Sequence, residues 1–302
     1  MDYYKQKFDL LIRNYFKDEH CFSDFLNGTY FQGRQITSSC HMKLYDGEYS
    51  GQLMNCKYVK RSRDNIMVTK IGNHDCLIGF EHQSSYDESM FQRVMEYDYL
   101  SYKRQYENYR KSKHRKKILA IITFVLYYGE RQWKQPISYF DMMEDIPTHI
   151  RKYVNVHFYP VIRVDELDEN LFQEKKNKQL ILGLKYIHSK TSEKKSLIVD
   201  YDILEILATL AKNEKTLEHI HVNEKGEVDM CQYIMQMKRE ERNNGRLEEK
   251  CETLIQQLKV KFNYLSKDTE KIIYQSDMDK LNQLTIKIFQ VNNEEDVKKI
   301  LS

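Results

Sequence analysis

Three side chains that carry oxygen ligands stand close together in the first third of the sequence. Asp64 opens the segment DNIMVTK, and Glu81 and Gln83 close the segment CLIGFEHQ. Carboxylate oxygens are the ligands that Mg²⁺ prefers, and the ion usually keeps several waters when one or two carboxylates hold it. A metal ion held in this way lowers the pKa of a bound water and polarises a phosphodiester. Asp64 and Glu81 are therefore candidate metal ligands.

The two segments that carry these residues are typical of a β-hairpin. Gly72 and Asn73, between the segments, are turn residues. A two-residue turn there pairs Asp64 with Glu81, with their β-carbons about 5 Å apart. A four-residue turn pairs Asp64 with Gln83 instead. Both registers keep the polar side chains on one face because side chains alternate along a strand, whereas a three-residue turn with a bulge would separate them.

The spacing of the acids has a second interpretation. Acidic side chains at strand ends are most often ordinary surface residues, and on spacing alone this interpretation is the better one. The main-chain carbonyl of His82 lies between Glu81 and Gln83 in the sequence and is a natural additional ligand for a hard cation.

Helices and a further strand must hold the hairpin in place. The segment YYKQKFDLLIRNYF has apolar side chains at helical spacing, with Asp9 beside that apolar face. SYDE, after the hairpin, is typical of a capping box with Ser85 as N-cap, and predicts a helix of about 20 residues. The apolar run from Ile118 to Leu126 predicts a strand at a sheet centre that is covered on both faces. This order of elements predicts an α/β core.

Beyond residue 136 the sequence is mostly helical, with one more strand predicted at VNVHFYPVI. We predict a first domain over residues 1–235, with a core over about 1–165 and a helical extension over about 166–235. A small helical domain is predicted over residues 236–302. The charged helix near residue 240 suggests pairing with a second copy of the chain, so a homodimer is an expectation.

The composition is that of a globular protein. Of 302 residues, 41% are apolar and 31% are charged, which excludes a disordered chain. The longest apolar run is shorter than the about 20 residues of a membrane-spanning helix, and no signal peptide opens the chain. The cysteines are scattered and form no CxxC pair. We expect a cytoplasmic protein with free thiols and no membrane association.

The net charge is only +3, but positive charge is concentrated in the runs KYVKRSR and KSKHRKK. Runs of this kind can neutralise phosphates, or they can lie in solvated loops. From the charge pattern alone, solvated loops are the better interpretation.

Several segments together resemble one known family. The segments RDN, GFEHQSSYDESMFQRVMEYDYLSY and AIITFVLYYGERQWKQP resemble the recombination-promoting nuclease family, the transposase-like branch of the PD-(D/E)XK nuclease superfamily. Members carry an Asp, a loop, Glu-x-Gln-Ser/Thr, an Asp and Met-x-x-Arg, and then an aliphatic strand that ends in Tyr-x-Gly-x-x-x-Trp. The matching positions are Asp64, Glu81, Gln83, Ser84, Asp87, Met90, Arg93, Tyr127, Gly129 and Trp133. The segment LIQQLKVKF also resembles the helical C-terminal appendage of many members, so the resemblance covers most of the chain.

The resemblance implies a restriction-endonuclease-like α/β core, with a mixed central sheet flanked by helices, and a helical C-terminal appendage. It implies a metal-dependent DNA endonuclease linked to recombination or mobile elements, with Mg²⁺ as cofactor and Mn²⁺ or Ca²⁺ as alternatives. Asp64 and Glu81 would be catalytic metal ligands, and Asp9 a candidate accessory acid from the first helix. Gln83 would be the third catalytic residue, where the wider superfamily has lysine. An ammonium group can stabilise negative charge on the reacting phosphate, whereas a neutral amide can only orient it.

The resemblance also gives the basic residues a role as DNA contacts. These residues are Arg61, Arg63, Arg93, Lys113, Arg115 and Lys116. The alternative function is a catalytically weak or inactive nuclease fold that binds nucleic acid or a protein, and the absent lysine keeps that alternative open. RNA is not separated from DNA as a substrate, because backbone hydrolysis at a metal site neither requires nor forbids a 2′-hydroxyl.

Overall fold

The computed structural model describes residues 3–53, 57–113, 117–134, 143–154, 159–188 and 196–302, without the side chains of residues 49–53 and 57–61. The chain forms two compact units, Met1–Gln232 and Tyr233–Ser302. The sequence predicted a boundary nearby, after residue 235.

The strands of the described ranges all lie in the first unit. They are β1 (Lys43–Leu44), β2 (Glu48–Leu53), β3 (Lys57–Ser62), β4 (Asn65–Ile71), β5 (His74–Gln83), β6 (Ala120–Tyr127), β7 (Val161–Arg163), β8 (Ile198–Asp200) and β9 (Glu227–Asp229). A mixed five-stranded sheet has the order β1, β4, β5, β6, β7, with β1, β4 and β5 antiparallel and β5, β6 and β7 parallel. Two separate pairs are formed by β2 with β3 and by β8 with β9. The predicted α/β core with a mixed sheet is confirmed.

Helices flank this sheet and make up the second unit. They are α1 (Tyr3–Tyr15), α2 (Glu19–Thr29), α3 (Met90–Lys111), α4 (Thr148–Arg151), α5 (Lys175–His188), α6 (Tyr201–Leu210), α7 (Met230–Phe262), α8 (Lys267–Gln275), α9 (Met278–Lys287) and α10 (Glu294–Leu301). None of the helices in the described ranges has both the length and the hydropathy that crossing a membrane requires.

The hairpin of β4 and β5 has the first of the two registers that the sequence allowed. Its turn has two residues, and the first, Gly72, has a φ of +61°, which glycine adopts without strain. The ladder of paired residues extends to Asn65 and Phe80, at the end of the hairpin away from the turn. The next residues outward, Asp64 and Glu81, therefore face each other across the two strands.

Aromatic side chains pack α1 and α2 against one face of the sheet. Phe80 of β5 stacks on Phe22 of α2, with 4.1 Å between the ring centroids, and meets Phe16 edge-on at 5.5 Å. Phe8 and Ile12 of α1 are buried, as the helical spacing predicted. Because buried aromatic rings remove large apolar areas from water, this layer fixes α1 on the sheet.

A buried ion pair holds α3 on the opposite face. The guanidinium of Arg63 bonds Asp98 of α3 and donates to Oγ1 of Thr123 at 2.9 Å. Gly79 leaves room for it, because a Cβ there would lie 2.6 Å from Nη1 of Arg63. The Arg63 side chain is 0% exposed, so it cannot reach a DNA backbone. The predicted DNA contact of Arg63 is wrong.

The start of α3 differs from the predicted one. The helix begins at Met90 with Ser89 as N-cap, and Ser85 is exposed and lies before it. Asp87 orders the turn, because its carboxylate accepts from the Ser89 N–H at 2.9 Å and from Nη1 of Arg93 at 2.6 Å. The predicted capping box at Ser85 is wrong, because α3 begins only at Met90 and Asp87 accepts from Ser89 at that start.

The second unit buries an apolar core of its own. Its side chains come from the last half of α7, from α8, α9 and α10, and from the segments between these helices; they are Cys251, Leu254, Ile255, Leu258, Leu265, Ile273, Leu281, Leu284, Ile288, Val291, Val297 and Leu301. The helical character predicted for residues 236–302 agrees with α8, α9 and α10.

Candidate functional site

Asp64 lies just before β4, and its carboxylate has two partners. Oδ1 pairs with Nη2 of Arg13 on α1 at 2.6 Å, and Oδ2 accepts from the backbone N–H of His82 at 2.8 Å. The side chain is 7% exposed. Burial raises the pKa of Asp64, while the positive charge of Arg13 and the bond from His82 oppose that shift. Asp64 is therefore fixed between a cation and the neighbouring strand.

Glu81 is a fully buried acid whose carboxyl oxygens have no hydrogen-bond partner among the described residues. Burial, and then the negative charge of Asp64, raise its pKa to about 8. The positive charges of Arg63, Arg93 and Arg13 act in the opposite direction. Burying an acid without a partner costs free energy in either protonation state, and far more when it is ionised. The position is therefore one that a cation would stabilise.

Gln83 adds a further oxygen on the same face of β5. The residue is 3% exposed, and its Oε1 has no hydrogen-bond partner within the described part of the chain. Because Gln83 follows Glu81 by two residues in an extended strand, both side chains point to the same side of the sheet. The site thus gathers unsatisfied carboxyl and amide oxygens, which are hard ligands.

Asp9, the candidate accessory acid, belongs to the same electrostatic cluster. It is partly buried on α1, and burial followed by the charge of Asp64 raises its pKa to about 6. The charges of Arg13 and Lys5 lower it in part. The first helix therefore brings an acid of near-neutral pKa close to Asp64.

The imidazole of His82 lies on the other face of the sheet and has a structural role. Nε2 lies 2.9 Å from Oδ1 of Asn65, and Nδ1 lies 3.0 Å from the hydroxyl of Tyr128. Asn65 donates in turn to the carbonyl of Arg13 at 3.0 Å. Burial lowers the pKa of His82 to about 3, so the ring is neutral, and Nε2 must carry its proton because Oδ1 of Asn65 can only accept. The backbone carbonyl of His82 stays a predicted ligand.

Sequence reasoning missed this supporting network. Arg13 stands four residues after Asp9 on α1, and this helical spacing was the available signal that both lie on one side of the helix. Asn65 directly follows Asp64, and Tyr128 follows the aliphatic strand. Nothing in the sequence pairs Arg13 with Asp64, because 51 residues separate them and the contact depends on how α1 packs on the sheet.

Arg93 and Tyr97 border the acids from α3. The guanidinium of Arg93 pairs with Asp87, lies 5.9 Å from the centre of the Tyr97 ring and lowers the pKa of both Asp64 and Glu81. The Arg93 side chain is 30% exposed, so part of it is open to solvent. Tyr97 is buried, and burial together with the charge of Glu81 raises its pKa. A cation with solvent access thus lies beside the buried acids.

Among the side chains that the structure describes, the basic residues predicted as DNA contacts do not form one patch. Arg93 lies at the acids, whereas Lys113 is exposed beyond the other end of α3, about 30 Å away at the rise of an α-helix. Arg61 lies in β3, and its side chain is outside the described part of the structure. Arg115 and Lys116 lie outside the described residues.

The donor set fits a hard divalent cation. Among the described residues no group of three or more His, Cys, Asp and Glu side chains is arranged to hold a metal. The candidate set consists of two acids and an amide oxygen. The fit depends on the buried, unpartnered oxygens of Glu81 and Gln83. It also requires the Asp64 carboxylate to release Arg13 and to bind the cation instead.

Comparisons with known proteins give one match. A family model described as "Putative transposase, YhgA-like" matches residues 6–218. The matched span contains every residue of the candidate site and ends before the second unit. No curated protein and no solved structure matches the chain.

Proposed function

The chain belongs to the YhgA-like transposase family, and from this premise we propose that it is a Mg²⁺-dependent endonuclease that hydrolyses DNA phosphodiester bonds in recombination or mobile-element reactions. The observation that carries the proposal is the buried, unpartnered carboxyl group of Glu81, beside the unpartnered amide oxygen of Gln83 and opposite Asp64. An acid with a strongly raised pKa and a specific charged neighbour is a feature of functional sites.

The topology supports a PD-(D/E)XK-like core. The two acids lie on an antiparallel hairpin whose second strand, β5, continues the sheet through the parallel strands β6 and β7. Helices α1 and α3 cover opposite faces of that sheet and bring Asp9 and Arg93 to the same end of the hairpin. This arrangement is consistent with the fold that the sequence resemblance implies, and so supports the proposal.

Each residue of the site has a role in this proposal. Asp64, Glu81 and Gln83 would hold Mg²⁺ with the backbone carbonyl of His82, and the ion when bound supplies an activated water and neutralises charge on the phosphate. Asp9, with a pKa of about 6, is suited to accept the proton that the attacking water loses near neutral pH. The guanidinium of Arg93 is placed to bind a non-bridging phosphate oxygen.

Arg13 has two states in this proposal. In the structure it neutralises Asp64 at 2.6 Å. When Asp64 binds a cation instead, the guanidinium of Arg13 becomes available to a phosphate, which arginine recognises through paired N–H donors. The ion pair therefore stabilises the Asp64 carboxylate when no cation is bound. When a cation is bound, Arg13 supplies a phosphate ligand.

The same ion pair favours a second candidate function. A carboxylate already bound by arginine, together with glutamine at position 83, is also what an inactive nuclease fold that only binds nucleic acid would have. Salt-sensitive DNA binding without cleavage under Mg²⁺ or Mn²⁺ would identify that function.

The experiment that tests the nuclease is nicking of supercoiled plasmid with Mg²⁺, with and without chelator. Asp64→Asn and Glu81→Gln keep the shape of each side chain and are expected to reduce nicking by about 100-fold or more, because they remove the carboxylate charge that would hold the metal ion. Asp75→Asn and Glu88→Gln are the matched controls, because both residues are exposed. Equal nicking by the wild type and both site variants would reject the proposal.

A further inference from the structure

The tyrosines of α3 fall into two groups. Tyr97 is buried beside the candidate acids, whereas Tyr99, Tyr102 and Tyr106 are 58%, 37% and 55% exposed. Tyr109 stacks on Tyr106, with 6.4 Å between the ring centroids and 16° between the ring planes. Residues three and four apart are neighbours on a helix surface, so positions 99, 102, 106 and 109 form one row, the tyrosine face. Because most of this row is open to solvent, packing of the core does not account for it.

Two basic side chains lie along the same row. Lys103 follows Tyr99 by four residues and Arg110 follows Tyr106 by four, so each cation lies one turn beyond a tyrosine on the same side of the helix. Both are exposed, and neither forms an ion pair with a residue that the structure describes. Aromatic rings beside unpaired cations are the side chains with which proteins bind single strands of nucleic acid.

The charge of this part of the chain disfavours a second copy as the occupant of the face. Residues 99–113 contain five basic residues and one acid, Glu107. Of the basic residues, Arg104 pairs with Asp46 at 2.9 Å. A two-fold interface would bring two positively charged faces together, and like charges across an interface are unfavourable. A polyanion complements this charge instead.

The row has the length of a short single strand. From Tyr99 to Tyr109 the helix rises by about 15 Å, at about 1.5 Å per residue. A stacked strand advances about 3.4 Å per nucleotide, so the row spans about four nucleotides. Bases in a duplex are already paired and stacked, whereas the bases of a single strand have faces on which tyrosine rings can stack. The face therefore favours a single strand over a duplex.

We propose that the tyrosine face of α3 binds single-stranded DNA, with Tyr99, Tyr102 and Tyr106 stacked on bases and with Lys103 and Arg110 bound to phosphates. The family match makes DNA the expected nucleic acid. The inference goes beyond the proposed cleavage, because the face binds a strand whether or not the acids of the hairpin hydrolyse it.

The test measures binding of a fluorescein-labelled 20-nucleotide oligothymidine strand by anisotropy, in full-length chains that carry Glu81→Gln so that the strand stays intact. Tyr99→Ala combined with Tyr106→Ala is expected to weaken binding about tenfold or more, because the stacking of bases on both rings is lost. Tyr264→Ala is the matched control, since Tyr264 is 69% exposed but belongs to the second unit. It is expected to bind as the parent does.

Two further sets of variants separate stacking from charge. Tyr99→Phe combined with Tyr106→Phe keeps both rings and is expected to retain strand binding. Lys103→Gln and Arg110→Gln are each expected to reduce the salt slope of strand binding by about 0.7, because each removes one phosphate contact. Since all four side chains are exposed, the variants are expected to melt as the parent does.

The outcomes either support or overturn the inference. A loss in the alanine pair that is larger for the strand than for a duplex of the same length supports it, together with normal binding by the phenylalanine pair. Unchanged strand binding by the alanine pair overturns it, and so does an equal loss for strand and duplex. Tighter binding of an oligouridine strand would assign the face to RNA and overturn it. Sedimentation that shows self-association of the parent but not of the alanine pair, with DNA binding unchanged, would assign the face to a second copy and overturn it.

Discussion

At the scale of single residues, one carboxyl group joins the stability of the fold to the chemistry of the site. Glu81 has a pKa raised to about 8, against about 4.3 in an unfolded chain. Between these two values the folded protein holds a proton that the unfolded chain has released, so stability falls as the pH rises through this window. The contribution of Glu81 to the free energy of unfolding is fully present below the pKa that this residue has in the unfolded chain. It is lost above the pKa that the residue has in the folded protein.

This linkage gives a prediction for Glu81→Gln without metal. From pH 5.5 to pH 8.5 the free energy of unfolding of the wild type is expected to fall by about 3 kcal/mol more than that of the variant, because the amide has no proton to lose. Urea denaturation in chelator at several pH values measures the difference. Glu88→Gln, at an exposed acid, is expected to follow the wild type, and a variant as pH-dependent as the wild type would show that Glu81 titrates normally.

A second prediction concerns the response of the same residues to metal. Because a cation that binds only the folded chain stabilises it by mass action, Mg²⁺ at about 100 times its dissociation constant should raise the free energy of unfolding by about 2.7 kcal/mol at pH 8. Asp64→Asn and Glu81→Gln should lose most of this gain. Calorimetric melts with Mg²⁺ and with chelator measure this stabilisation. If Mg²⁺ stabilised Asp64→Asn as much as the control Asp75→Asn, the ion would bind at another site.

At the scale of elements, the hairpin was predictable because its signals are local. Gly72 and Asn73 fix a two-residue turn, and alternation then puts Asp64 and Glu81 opposite each other. The role of Arg63 was not predictable, because the pattern of a basic run is the same whether its last arginine is exposed to solvent or is buried between the sheet and a helix. That difference depends on Asp98, which is 35 residues away in the sequence.

The buried pair of Arg63 and Asp98 gives the third prediction. Arg63→Met should destabilise the chain by about 3 to 5 kcal/mol, because it leaves the Asp98 carboxylate buried without its cation. In the double variant with Asp98→Leu, much of that loss should be recovered. Chemical denaturation of the single and double variants measures the coupling between the two residues.

The same variants test the corrected role of Arg63. The double variant, if folded, is expected to bind duplex DNA as the wild type does, since the Arg63 guanidinium is fully buried. Duplex binding that falls in a folded double variant would return Arg63 to the DNA interface.

At the scale of the whole molecule, α7 joins two units that each bury a core. Residues 241–246 in the middle of α7 are exposed all round, whereas the helix buries side chains before and after them. This stretch includes two asparagines and Gly245, which are poor helix formers. A helix segment that buries nothing contributes little to the cooperativity between its two ends.

The two units are therefore expected to unfold separately. Calorimetry of the full chain should show two transitions, one for each unit. A chain that ends after Arg246 should keep the transition of the first unit at the same temperature, because the core side chains of the second unit all lie beyond Arg246. A chain that ends after Phe289 loses Val291, Val297 and Leu301 from that core. It should lose the second transition and keep the first, whereas a single shared transition in the full chain would show that α7 couples the units.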